Sequence, residues 1–141
     1  MNAPQETTRP AEAQAPARIL VVDDDTCMFD IFGEICPPPL FSMTVASHGR
    51  LAVQLAGSQR FDLAFVDYFL GDEIGTEVAQ QMRKAQPGLK VVLMSGFLVD
   101  DRAAAMEIAG ASAFLIKPFS IENAQAVMNR LLSGKGPERL S

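Results

Sequence analysis

With one histidine and two cysteines, the chain has almost none of the side chains from which zinc sites and nucleophilic triads are built. His48 stands alone, so a Ser-His-Asp hydrolase or a histidine-rich metal site lacks its raw material. The sequence reads it as a solvated loop residue. Cys27 and Cys36 form no CxxC pair. They suit a reducing compartment where thiols stay free, and a disulfide is not expected, because Cys27 belongs on a helix whose end lies near Cys36. Also missing is an apolar run of about 18 residues, the length that spans a membrane. The N-terminus carries no apolar signal core, so the expected location is cytoplasmic. Positive charge is scarce and scattered: 12 Lys and Arg stand against 17 Asp and Glu, for a net charge of -5 and a pI of about 4.8. Such a chain is expected to bind neither nucleic acid nor an anionic membrane.

What is present is enough apolar material for one domain: 141 residues, 48% hydrophobic. Residues 1–17, rich in Ala, Pro, Gln, Glu and Thr, read as a disordered tail. Residues 18–133 read as the folded domain and 134–141 as a short C-terminal tail. Within the domain, strand and helix signals alternate. Strands are expected over Arg18–Val22, Ser42–Ala46, Asp62–Val66, Lys90–Met94 and Ala113–Ile116. The helices between them carry apolar positions at helical spacing. These are Met28, Ile31, Phe32 and Ile35 in the first, stopped by Pro37-Pro38-Pro39, and Leu51, Ala52 and Leu55 in the second, closed by Gly57. Ile74, Val78, Met82 and Ala85 mark the third. The fourth starts near Asp100-Asp101 and stops at Gly110, and Ile121, Ala124, Val127, Met128 and Leu131 line the last. Five such β-α units make an α/β, doubly wound, five-stranded parallel sheet, a flavodoxin-like (βα)5 fold with helices on both faces.

Open α/β sheets place ligands at the carboxyl ends of their strands. The residues there are Asp23-Asp24-Asp25 after the first strand, Asp67 after the third, Ser95 after the fourth and Lys117 after the fifth. Carboxylates crowded at one rim raise each other's pKa unless a cation neutralises them, and a hard ion such as Mg²⁺ is the usual solution. The plainer reading of the acidic triplet is helix capping. A metal-binding acid pair, a carboxylate nucleophile, a hydroxyl and a lysine together make a set for phosphoryl transfer.

In order and spacing this pattern resembles the response-regulator receiver domain of two-component signalling, over about Arg18 to Leu132. The segments that carry the likeness are ILVVDDD, LAFVDYFLGDEIG, VVLMSG and GASAFLIKPF. The resemblance implies that Asp67 is the phosphoacceptor. Asp24 and Asp67 would ligate Mg²⁺ directly, with the main-chain carbonyl of Phe69, and Asp23 would act through water. Ser95 and Lys117 would hold phosphoryl oxygens, with a cis Lys117-Pro118 bond, and Asp25 would cap the first helix. Phe114 takes the place of the family's aromatic switch, coupled to Ser95, and Gly75 that of its glycine after the phosphoacceptor. Phe69 and Phe97 flank the phosphoryl site, where both would obstruct an attacking water and lengthen the life of the acyl phosphate. The chain departs from the family in having Gly71 where proline is usual, Ile74 in place of an acid or amide, and the proline run after the first helix.

The implied role is a response regulator in a phosphorelay. It is not an enzyme but a phosphoacceptor that assists its own Mg²⁺-dependent phosphotransfer and dephosphorylation. A histidine kinase or histidine phosphotransfer protein would be the donor. Residues Ser133 to Ser141 are too few for a DNA-binding or catalytic domain, so a standalone, single-domain regulator acting on a downstream protein target is expected. The face of helix four, strand five and helix five could serve that contact or a homodimer. Two alternatives stay open. One is a haloacid-dehalogenase-like phosphatase using Asp23 and Asp25, although no further acidic pair ends a strand after Lys117. The other is a receiver-like binding module that is never phosphorylated.

Overall fold

The computed structural model describes residues 15–96 and 99–133. Strand β1 (Ala17–Val22) leads to α1 (Cys27–Ile35), β2 (Phe41–Ala46), α2 (Gly49–Ser58) and β3 (Leu63–Asp67). Two-residue strands Phe69–Leu70 and Glu73–Ile74 form a small antiparallel ribbon. Then follow α3 (Gly75–Ala85), β4 (Lys90–Ser95), α4 (Arg102–Ala109), β5 (Ala113–Ile116) and α5 (Ile121–Ser133). The five long strands form one parallel sheet in the order β2-β1-β3-β4-β5. This is the expected doubly wound (βα)5 fold.

The alternation of side chains along each strand sorts the core into two layers. Leu20, Val22, Ala64, Val66, Val91 and Leu93 point to one face, under Ala52, Ala56, Val78, Ala79, Met82 and Ala105 from α2, α3 and α4. Ile19, Val21, Leu63, Phe65, Val92 and Met94 point to the other, under Met28, Phe32, Ile35, Ala124 and Met128 from α1 and α5. Because the central strands are covered on both sides, their sequences are almost continuously apolar. The Phe32 and Phe65 rings, both fully buried, sit 4.7 Å apart between centroids. Each large side chain so buried contributes about 1.5–3 kcal/mol of transfer free energy.

Several expectations need correction. The tail does not reach residue 17: Ala17 opens β1, where its N–H bonds the Leu40 carbonyl at 3.0 Å. The rest of both expected tails, residues 1–14 and 134–141, lies outside the described residues. Gly57 does not close α2, which runs on to Ser58. Ile31 is 39% exposed, off the buried stripe of α1, and Ile74 is equally exposed, in extended backbone just ahead of α3. His48 is exposed as expected, but its Nδ1 accepts the Leu51 N–H at 3.2 Å, so it caps α2. Cys36 ends α1 and is free and buried, and Cys27 is free and exposed. Burial pushes the Cys36 thiol up to about 12, which makes it unreactive.

The strand registers bring the informative residues to one rim. Val22 lies beside Ala46 and Val66, Asp67 beside Met94, and Ser95 beside Ile116. Chain connections leave β1 toward β2 and return across it to β3, so the sheet order reverses at the β1–β3 seam. A crevice opens at such a point in open α/β sheets.

Candidate functional site

β1 is hydrogen-bonded on both sides, so its extended backbone continues as far as Asp23, whose N–H reaches the Ala46 carbonyl at 3.1 Å. Asp23 is fully buried. One of its oxygens, Oδ1, accepts the Asp25 N–H at 2.9 Å, and the other, Oδ2, accepts the Lys117 ammonium at 2.7 Å. Asp67, the last residue of β3, is 8% exposed, and its Oδ2 lies 3.2 Å from the same Lys117 Nζ. Asp24 is exposed beside them. Oxygens from Asp23, Asp24 and Asp67 lie within 4.8 Å of one another.

Two carboxylates and one ammonium in a half-buried niche shift each other. Burial, and next the negative charge of Asp23, push the Asp67 carboxyl up to about 6, against the opposing pull of Lys117. For Lys117, burial lowers the pKa, but its bonds to Asp23 and the charge of both acids outweigh it and hold the ammonium above its ordinary value. Lys117 therefore stays charged. The three acids still exceed the one lysine, and their oxygens are hard donors at a spacing a small divalent cation can bridge. The residues fit Mg²⁺.

Neighbouring backbone fixes the nucleophile's loop. The Tyr68 N–H bonds the Met94 carbonyl at 2.7 Å, and the Gly75 N–H bonds the Tyr68 carbonyl at 2.6 Å. A Cβ on Gly75 would strike the Asp67 carbonyl, so only glycine fits that approach. Gly71, where the resemblance leads one to expect proline, has a φ of +65°, which proline cannot adopt. Ser95 is fully buried at the end of β4, and its carbonyl accepts the Lys117 N–H at 2.8 Å. The Lys117-Pro118 bond is cis, as the resemblance implies, and Pro38-Pro39 is cis as well.

Asp23, Asp24, Asp67 and Lys117 thus converge, with Ser95 at the adjacent strand end. Asp25 stands apart: its Oδ1 accepts the Cys27 N–H at 3.1 Å, a capping contact at the start of α1. The phosphatase alternative, which needs Asp25 beside Asp23 as a second catalytic acid, gains nothing from this arrangement. Phe114 is half-buried on the α3–α4 side, with the Arg102 guanidinium 5.1 Å from its ring centre. Phe69 is 40% exposed, its ring edge-on to Tyr68 at 4.7 Å. Phe97 lies outside the described residues. Sequence reasoning missed Glu73, whose carboxylate crosses to the N-terminus of α2 and accepts the Gly49 N–H at 2.7 Å. That contact spans 24 positions, and no local pattern announces it.

A parallel sheet with acids on two central strand ends and a lysine bridging them defines an α/β protein with a charged centre at its carboxyl rim. The response regulator receiver domain model matches residues 19–129, and the chain belongs to that family. Among curated relatives, the probable transcriptional regulatory protein TcrX of Mycobacterium tuberculosis is 33% identical over 129 residues. That match takes in 91% of this chain but only 54% of TcrX, so the chain spans about half the length of that relative. A CheY-like response regulator receiver domain protein from Methanospirillum hungatei superimposes with a TM-score of 0.79 at 27% identity, covering 85% of this chain and 96% of that one. The receiver domain of the sensor histidine kinase PA1611 from Pseudomonas aeruginosa shares the fold at a TM-score of 0.74 and 21% identity, over 84% and 99% of the two chains. It was solved with a magnesium ion in its active-site cleft. The protein is a two-component receiver. Among the described residues no helix is long and apolar enough to cross a membrane.

Proposed function

We propose that Asp67 accepts the phosphoryl group, taking it from the phosphohistidine of a histidine kinase or histidine phosphotransfer protein. An Asp67 oxygen attacks phosphorus as the P–N bond breaks, and the electron pair leaves with the imidazole. Lys117 is already within hydrogen-bond reach of Asp67 and can follow the charge onto a phosphoryl oxygen, and the Ser95 hydroxyl lies one strand away to hold another. Asp24 and Asp67, with the Phe69 carbonyl and with Asp23 acting through water, would hold Mg²⁺, which when bound neutralises charge on the transferring oxygens. The observation that carries the reading is the position of Asp67: a largely buried acid at a central strand end, bridged by Lys117 to a second buried acid.

Hydrolysis returns the site to its starting state, with Phe69 obstructing the approach of water. The signal leaves through contacts with a downstream protein in the cytoplasm, and α4, β5 and α5 form the surface that either the target or a second copy would meet. The test is incubation with acetyl phosphate and Mg²⁺, followed by intact mass. The mass of one phosphoryl group should be gained by the wild type and not by Asp67→Ala, and EDTA should prevent the gain. Modification that survives either the substitution or the chelator overturns the assignment.

A further inference from the structure

The connection from β3 to α3 has little internal fastening. Its ribbon pairs only Phe69 with Ile74 and Leu70 with Glu73, far short of a hairpin that is stable by itself. It is held from outside instead. Leu70 is buried in the core, and the Tyr68 backbone bonds Met94 and Gly75. A further hold is the Glu73 carboxylate on the Gly49 N–H, at the first residue of α2. An ionised acceptor on a helix N-terminus is favoured by both its charge and the exposed N–H groups. The corner has no slack: a Cβ on Gly49 would lie 2.9 Å from the Glu73 carboxyl carbon and would strike Val78.

The first strand and the turn of the ribbon lie close to the acids. Phe69 follows the nucleophile by two positions, and a Cβ on Gly71 would have Asp24 Oδ2 as its neighbour, at 4.0 Å. We infer that Glu73 is a positioning residue for the phosphoryl site. By tying the ribbon to α2 it holds 69–71 in place beside Asp24 and Asp67, and with them the backbone oxygen that would complete the metal's protein ligands. This inference rests on the reading of the site as a Mg²⁺-dependent phosphoacceptor centre.

The experiment is Mg²⁺ titration of the full chain, followed by backbone amide shifts, with thermal unfolding in EDTA measured in parallel. Glu73→Ala should raise the Mg²⁺ dissociation constant about tenfold, the size expected when an outer support of a metal site is lost. Glu73→Gln, whose amide oxygen can accept the same N–H, should stay close to wild type. If Glu73→Ala fails to fold, Glu73→Asp, one methylene too short to reach Gly49, supplies the comparison. Glu73 variants that lose thermal stability yet bind Mg²⁺ like wild type would overturn the inference and leave only a helix cap. Equal impairment of the Gln and Ala variants would overturn it as well. A wild type that takes neither Mg²⁺ nor a phosphoryl group would bring down the phosphoacceptor reading and this inference with it. Normal wild-type binding matched by Glu73→Ala would bring down this inference alone.

Discussion

Asp67 holds its proton more tightly than an ordinary carboxyl, and that costs stability at neutral pH. Its folded pKa of about 6 lies above the 3.8 of an ordinary aspartate carboxyl, so between those values the folded state binds more protons than the unfolded. The stabilising contribution is therefore fully present below about pH 4 and is lost as pH rises through 6. In metal-free protein Asp67→Asn should raise the Tm at pH 7.5, and the advantage should shrink toward pH 4; a Tm difference independent of pH would refute the account. Protons and Mg²⁺ compete for the same oxygens, so Mg²⁺ affinity should weaken as pH falls through about 6, as calorimetric titration would show. Lys117→Met removes the cation between two buried acids and should destabilise the protein by on the order of 3 kcal/mol in EDTA. Mg²⁺ should restore part of that loss, which denaturant unfolding with and without the ion will measure. Phe69→Asn should shorten the phosphoryl half-life, because an amide can orient a water that a phenyl ring cannot; an unchanged half-life after acetyl phosphate is removed would show that the ring does not shield the site.

Strands and helices were legible because burial writes a simple code. ILVV, LAFV and VVLM are apolar at every position since both faces of the sheet are covered, and Met28, Phe32 and Ile35 hold one helical line. Ile31 fits the same spacing rule yet stands about 60° round the helix from Met28, outside the narrow strip that the sheet covers. The rim residues were legible too, because a strand end is a sequence event. The ribbon was not. Two-residue strands have no period, Ile74 looks like the first helical residue, and Glu73 acts on a helix 24 positions away. The capping contact of His48 was missed for a related reason, since imidazole is an uncommon cap and only the folded corner turns its Nδ1 toward Leu51. At this scale Gly75→Ala should be severe: the new methyl meets backbone, which cannot swing aside. A Tm near that of wild type together with normal phosphorylation would refute that close contact.

Across the whole molecule, the site and the proposed output surface are joined by β4 and β5. Ser95 pairs with Ile116, Phe114 sits two positions earlier beneath Arg102, and Ile116 in β5 is about half exposed. A phosphoryl group that draws Ser95 and Lys117 toward it pulls on both strands at once, and a packed surface responds by switching between discrete arrangements. Beryllofluoride should therefore change amide-exchange protection within residues 99–132; identical exchange in its presence and absence would sever site from surface. The bridge from Lys117 to Asp23 spans 94 positions of sequence and the one to Asp67 spans 50. Translation delivers Asp67 well before Lys117, and β5, the last strand in sequence, is also an edge of the sheet. Until that edge is laid down, the acids have no ammonium between them and no complete cradle for a phosphoryl group. A copy whose last strand is not in place lacks that lysine, so the proposed phosphoacceptor centre is complete only once the whole sheet has formed.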